Sequence, residues 1–148
     1  GVGVTALFAN DHVTPRQAAA AESILTAVGE IVWVTNEAAL DAVTAISGSG
    51  PAYFFYLMEA MIEAGIDLGL DATTSRMLTL KTAYGAAVMA NQSDIAPAQL
   101  RRNVTSPGGT TERAISVLDA GRCRALIVDA LRQAERRSVE LAVEFGTQ

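Results

Sequence analysis

Cysteine occurs once and histidine once in the 148 residues, and tryptophan also once. A lone Cys123 excludes an internal disulfide and a cysteine metal cluster. A lone His12, far in sequence from the Ser47 and Ser49 stretch, reads as a loop or surface histidine rather than a catalytic base and argues against a serine–histidine pair. Aromatics make up only 5% of the residues, which together with abundant alanine favours close-packed helices over a β-sandwich. No apolar run approaches the roughly 18 residues of a membrane span, and no stretch reads as a secretory signal peptide. Basic charge is also in deficit. The net charge of -5 and pI near 4.8 argue against nucleic acid and against anionic membrane as partners. A cytoplasmic protein is the expectation. What is plentiful is hydrophobic residues, half of the total, enough for one domain or slightly more with a real core. The first residue is Gly1 rather than methionine and the text opens in mid-strand, so a piece of something longer is expected.

Residues 2–9 (VGVTALFA) are β-branched and apolar and predict a strand. Thr14 caps a predicted helix with Pro15 at its first position, ending at Gly29, and residues 31–34 predict a second strand. This β-α-β text belongs to an α/β layer, although two strands are too few for an independent sheet. Gly1-Val2-Gly3-Val4-Thr5-Ala6 spells a dinucleotide fingerprint, but strand-like text follows where a helix is required. We therefore reject it.

From Asn36 onward the period is helical. Asn36 caps a predicted helix through Ile46, with Leu40, Val43 and Ile46 on one face. Ser47-Gly48-Ser49-Gly50-Pro51 predicts a break, with Ser49 as the next N-cap. Residues 52–68 predict a long helix apolar on more than one stripe, and hence buried at a bundle centre or a subunit interface. Glu59, Glu63 and Asp67 form a row of carboxylates that reads as a solvated face rather than a metal site. Further helices are predicted from Asp71 or Thr73 to Met89, from Pro97 to Asn103, from about Thr111 to Ala120, and from about Arg122 to Phe145 after a turn at Gly121. On the last, Leu126, Ile127, Ala130, Leu131, Val139 and Ala142 predict the packing side, and Arg132, Arg136 and Arg137 a solvated one. Trp33 is expected in a core or interface, and Cys123 packed within its helix.

One stretch stands out as a candidate site: Val104-Thr105-Ser106-Pro107-Gly108-Gly109-Thr110-Thr111. Ser106 before Pro107 predicts an N-cap followed by the first helical position. Gly108 and Gly109 keep side chains away from the backbone, while Thr110 and Thr111 add hydroxyls and free N–H groups. A helix end so built suits a small anion such as a carboxylate. A capped helix start with no ligand fits the same residues. The stretch holds no strong acid, base or metal, so any chemistry here means orienting a substrate while a cofactor supplies the reactive power.

The wording of that stretch carries a resemblance. Pro97-Ala98-Gln99-Leu100, then residues 104–111, then Ala114-Ile115 and Leu118-Asp119 resemble the signature of the pyrroline-5-carboxylate reductases. Ala45-Ile46-Ser47-Gly48-Ser49-Gly50-Pro51-Ala52-Tyr53 is similar to that family's other hallmark, and the match runs from about Gly1 to Glu144. The resemblance implies a mainly α fold: a helical dimerisation bundle, like the C-terminal domain of 6-phosphogluconate dehydrogenase, preceded by a β-α-β remnant of a Rossmann domain. Residues 1–36 would be the tail of that dinucleotide-binding domain and 37–148 the helical substrate-binding and dimerisation domain.

The family reduces pyrroline-5-carboxylate to L-proline with NADPH or NADH, the last step of proline biosynthesis. Its helical domains interlock as a homodimer, stacked into larger rings in some members. The family's nucleotide-binding glycines and most of its sheet are absent here, so the chain by itself is expected to be inactive. By resemblance, the Gly109, Thr110 and Thr111 N–H groups with the Ser106 hydroxyl hold the substrate carboxylate, with Gly108 in the same loop. The Thr111 hydroxyl donates or relays the proton to the ring nitrogen. Asp94 closes the site from the partner subunit, and Ser47, Gly48, Ser49, Gly50 and Pro51 lie near the nicotinamide. No metal is implied. Two other readings remain: a non-catalytic helical oligomerisation module, and an NADP-dependent hydroxyacid dehydrogenase. The second would need a catalytic lysine, and the only lysine is Lys81, outside the glycine stretch.

Overall fold

The structure is a computed structural model that describes residues 3–146. Residues 1, 2, 147 and 148 lie outside it, and with them the first two positions of the rejected fingerprint, the start of the expected first strand and the end of the expected helical domain. The described residues divide into two compact units: one takes the chain up to Pro51 together with the residues from Val128 onward, the other is Ala52–Ile127.

In the first unit, β1 (Gly3–Leu7) and β2 (Gly29–Trp33) pair in parallel, Gly3 opposite Gly29 and Leu7 opposite Trp33. Between them α1 (Pro15–Thr26) packs on β2. Its start is fixed by a reciprocal capping box. The Thr14 hydroxyl oxygen accepts from the Gln17 N–H, and the Gln17 side chain accepts from the Thr14 N–H at 2.9 Å. Gly29 does not end this helix, as its spelling predicts, but opens β2. Trp33 is 40% exposed rather than in a core, and its indole N–H donates to Glu22 on α1 at 3.1 Å.

The second half of this unit departs from expectation. Asn36 accepts from the Ala39 N–H at 3.0 Å, but it does so in a turn ahead of the helix: the N-cap of α2 (Ala39–Val43) is Ala38, which makes no side-chain cap. The chain then stays helical instead of breaking. Thr44–Gly48 form a π-helical turn closed by the Ser49 N–H donating to the Thr44 carbonyl at 2.8 Å, and α3 (Gly50–Asp67) begins at once. Ser49 is right-handed helical and caps nothing. Pro51 is the second residue of α3, shortly after the π-helical turn. Ser138, on the closing helix α7 (Cys123–Gly146), ties it to α2 by donating to the Asp41 carboxylate at 2.7 Å.

In the second unit α3 ends in a Schellman motif. The Leu70 N–H donates to the Gly65 carbonyl and the Gly69 N–H to that of Ile66, with Gly69 left-handed at φ 98°. Asp71 then caps α4 (Ala72–Asn91) by accepting from the Thr74 N–H at 2.9 Å. The two helices meet at Gly65 and Ser75. Ser75 is 2% exposed, and its hydroxyl donates to the Ile62 carbonyl at 2.8 Å. A short connection leads to α5 (Pro97–Asn103), whose bounds match the prediction, and then to the glycine stretch and α6 (Thr110–Ala120). The turn into α7 places Arg122, not Gly121, in the left-handed region, at φ 54°.

The expected burial of α3 is not supplied by the described residues. Phe54, Phe55, Tyr56 and Leu57 are each 56–76% exposed, and four consecutive residues cover every side of a helical turn. Leu126, Ile127 and Val139 on α7, predicted to pack, are also exposed. Glu59, Glu63 and Asp67 are exposed on α3, and Cys123 is half-buried at the start of α7 rather than inside it. No helix among the described residues is long and apolar enough to cross a membrane.

Candidate functional site

The glycine stretch lies wholly in the second unit, between α5 and α6. The Thr105 hydroxyl donates to the Arg101 carbonyl, which ends α5 and starts the loop. Ser106–Gly109 then form a tight turn closed by the Gly109 N–H donating to the Ser106 carbonyl at 3.0 Å. Pro107 sets the second corner, and Gly108, at φ 71°, takes the third, the pattern of a type II turn. A residue with a Cβ is strained in that region by about 1–2 kcal/mol, which accounts for glycine at 108. Gly109 has an ordinary extended backbone, but a Cβ there would stand 3.0 Å from the Ser106 carbonyl oxygen.

Two predicted details need correction. Ser106 is not the N-cap and Pro107 is not helical: the cap is Gly109, and Thr110 is the first residue of α6. The cause is the Pro107-Gly108 pair, which satisfies a turn better than a first helical turn, and glycine at 108 cannot extend a helix cheaply. The Gly109 N–H is also engaged within the turn. The donors left open are therefore those of Thr110, Thr111 and Glu112, the first three of the helix, none of which bonds to the chain. The half-buried Thr111 contributes a hydroxyl at the same end, and the exposed Ser106 another in the preceding turn.

Below this donor set the Glu112 side chain folds back, and its carboxylate accepts from the Gly108 N–H at 2.8 Å. Sequence reasoning missed this contact. The signal was present, since a glutamate three residues after an N-cap is the acidic half of a capping box.

Asp94 sits exposed on the α4–α5 connection in the same unit, and no hydrogen bond or ion pair links it to the stretch. Ser47, Gly48, Ser49, Gly50 and Pro51 belong to the other unit, at the π-helical turn and the start of α3. Gly50 is buried and Ser49 half-buried there. His12 is exposed in the β1–α1 connection, and Lys81 is exposed on α4. Among the described residues no group of three His, Cys, Asp or Glu could hold a metal ion.

A family model described as pyrroline-5-carboxylate reductase dimerisation matches residues 37–141. A pyrroline-5-carboxylate reductase of Pseudomonas aeruginosa is 53% identical over 144 residues, covering 97% of this chain and 53% of the relative. One from a Synechocystis species is 44% identical, covering 95% and 52%. The solved structure of a pyrroline-5-carboxylate reductase from Coxiella burnetii superposes with a TM-score of 0.89 at 49% identity, covering 95% of this chain and 52% of that one. A Plasmodium falciparum pyrroline carboxylate reductase with NADP bound gives a TM-score of 0.81 at 31% identity, covering 90% and 55%. The chain thus spans about half the length of the relatives it matches.

Proposed function

The chain belongs to the pyrroline-5-carboxylate reductase family, and on that premise we propose that it forms the substrate-gripping and dimerising part of an enzyme that reduces pyrroline-5-carboxylate to L-proline in the cytoplasm. The observation that carries the reading is the open set of backbone N–H donors at Thr110, Thr111 and Glu112, with the Thr111 hydroxyl beside it and the one side-chain acid there, Glu112, tied back to the Gly108 N–H. Three N–H groups at the positive end of α6 suit one carboxylate, and a charge-assisted hydrogen bond is stronger than a neutral one. With the carboxylate seated, the Thr111 hydroxyl donates toward the ring nitrogen, which gains a proton as the imine carbon gains a hydride.

The described β1–α1 connection (FANDHVT) has no glycine, so these residues do not form a dinucleotide cradle. NADPH or NADH would supply the hydride, held mainly by a domain outside them, with residues 47–51 near the nicotinamide. Residues 1–36 are proposed as the tail of that domain and 37–148 as the helical one. The start of the family match at residue 37 supports that boundary. The apolar turn of α3, open on every side, supports a homodimer through the helical domain, with Asp94 of one protomer closing the other's site.

The test is a full-length protein carrying these residues. Reduction of pyrroline-5-carboxylate with matching oxidation of NADPH or NADH is the expected result, and no turnover with either dinucleotide would refute the proposal. A second reading, a non-catalytic oligomerisation module, draws on the same exposed α3 turn. Protection of the chain against heat by proline favours the reductase, whereas dimerisation with no protection favours the module.

A further inference from the structure

We infer that Glu112 is a positioning residue of this site: its carboxylate clamps the left-handed Gly108 turn, so that the N–H groups of Thr110, Thr111 and Glu112 face one substrate carboxylate. The inference rests on the reading of the loop as the substrate grip. Gly108 is the one residue of the stretch in a conformation that a chain adopts reluctantly, at φ 71°. Its N–H would otherwise be the last unpartnered donor before the helix. The 2.8 Å bond from that N–H to the Glu112 carboxylate spans four residues and joins the crest of the turn to the first turn of α6. The Gly109 N–H bond to the Ser106 carbonyl closes the turn from the other side. Between them the two bonds hold the backbone from 106 to 112. Glu112 thus serves the site twice, as a donor through its main chain and as a clamp through its side chain.

The clamp has a cost. A second carboxylate beside a site for a carboxylate repels the substrate, and both are near solvent, where the repulsion is screened. The two effects separate by substitution. Glutamine keeps an acceptor oxygen at the same reach and removes the charge. Alanine removes both, and aspartate keeps the charge on a shorter arm.

In the full-length enzyme, Glu112→Ala should raise the KM for pyrroline-5-carboxylate about tenfold, the scale of one lost hydrogen bond to a charged group. Turnover and the KM for the dinucleotide should stay near their parental values, because the grip acts equally on ground and transition states. Glu112→Asp should behave like alanine, and Glu112→Gln should restore the substrate KM to the parental value or below it. Amide exchange of Gly108, measured without substrate, should speed up in Glu112→Ala and not in Glu112→Gln. An unchanged KM in the alanine variant, a glutamine variant as impaired as alanine, or a parallel rise in both KM values would each overturn the inference. If the parent enzyme proved inactive on this substrate, the functional reading would fail. The exchange measurement would still decide the clamp.

Discussion

The contact of α3 with α4 brings Gly65 against Ser75, and Gly65→Ala is the most direct way to test it. A Cβ at 65 would overlap the Ser75 hydroxyl oxygen and stand 3.1 Å from the Ser75 Cβ. Ser75 has little freedom to yield, being 2% exposed with its hydroxyl bonded to the Ile62 carbonyl. Turning the hydroxyl away breaks that bond and leaves a buried donor unpaired, at about 1–3 kcal/mol. The remaining Cβ–Cβ contact still pushes the helices apart, which adds about 1–2 kcal/mol of overpacking. Alanine's better helix propensity returns about 1 kcal/mol. The net expectation is a loss of about 2 kcal/mol, read by urea denaturation as a lower midpoint at unchanged slope. Ser75→Ala alone should cost about 1 kcal/mol. The double variant should cost less than the sum of the two, because the residues share one space. A Gly65→Ala protein as stable as the parent, or strictly additive effects, would refute the account of this crossing.

Other expectations concern the site and the caps. Thr111→Val keeps the shape and removes the hydroxyl, so turnover of the full-length enzyme should fall about 10²-fold, and an unchanged rate would dismiss the proton role. Gly108→Ala has open space around the new Cβ but a left-handed backbone, so it should cost about 1–2 kcal/mol by local strain and weaken substrate binding, as titration with proline would show. Gly109→Ala keeps an allowed backbone but crowds the Ser106 carbonyl, so proline affinity should fall there without the same loss of stability. Asp71 has its pKa held below 3.8, first by the Thr74 side chain and then by the Thr74 N–H. A depressed folded-state pKa means that its stabilising effect is full above the unfolded value and fades as pH falls below about 4. Asp71→Asn keeps the cap without the titration, so its acid-denaturation profile should be flatter than the parent's below that pH.

Local chemistry was legible in the sequence wherever it acts alone. Thr14 with Gln17, Asp71 before α4 and Pro97 at the head of α5 each place a helix start through one side chain and its neighbours. The glycine stretch was legible as a helix end with free donors. Its register was not, because Ser-Pro-Gly spells both a capped helix start and a type II turn. The choice follows from which backbone carbonyl the Gly109 N–H can reach. The π-helical turn at Thr44–Gly48 was illegible for a related reason. Serine and glycine signal a weak place in a helix, but whether the chain breaks or inserts one residue depends on what must join α2 to α3. Hydropathy predicted that α3 is covered and could not say by which molecule. Four exposed residues in a row show that the described residues leave that turn uncovered.

These features point to one division of labour. On the proposed function a helix end grips a carboxylate and a threonine passes a proton, but neither can deliver two electrons, so the loop would meet a dinucleotide held elsewhere. The loop therefore gains from being stiff before that meeting, since every degree of freedom it keeps is entropy lost on binding. A type II turn locked by Gly109 at one end and Glu112 at the other removes that freedom using backbone donors the ligand does not need. On this view the stretch is conformationally demanding because it is chemically modest. On the proposed reading, with only the Thr111 hydroxyl to move a proton, its main contribution is to hold a small acid still in one orientation.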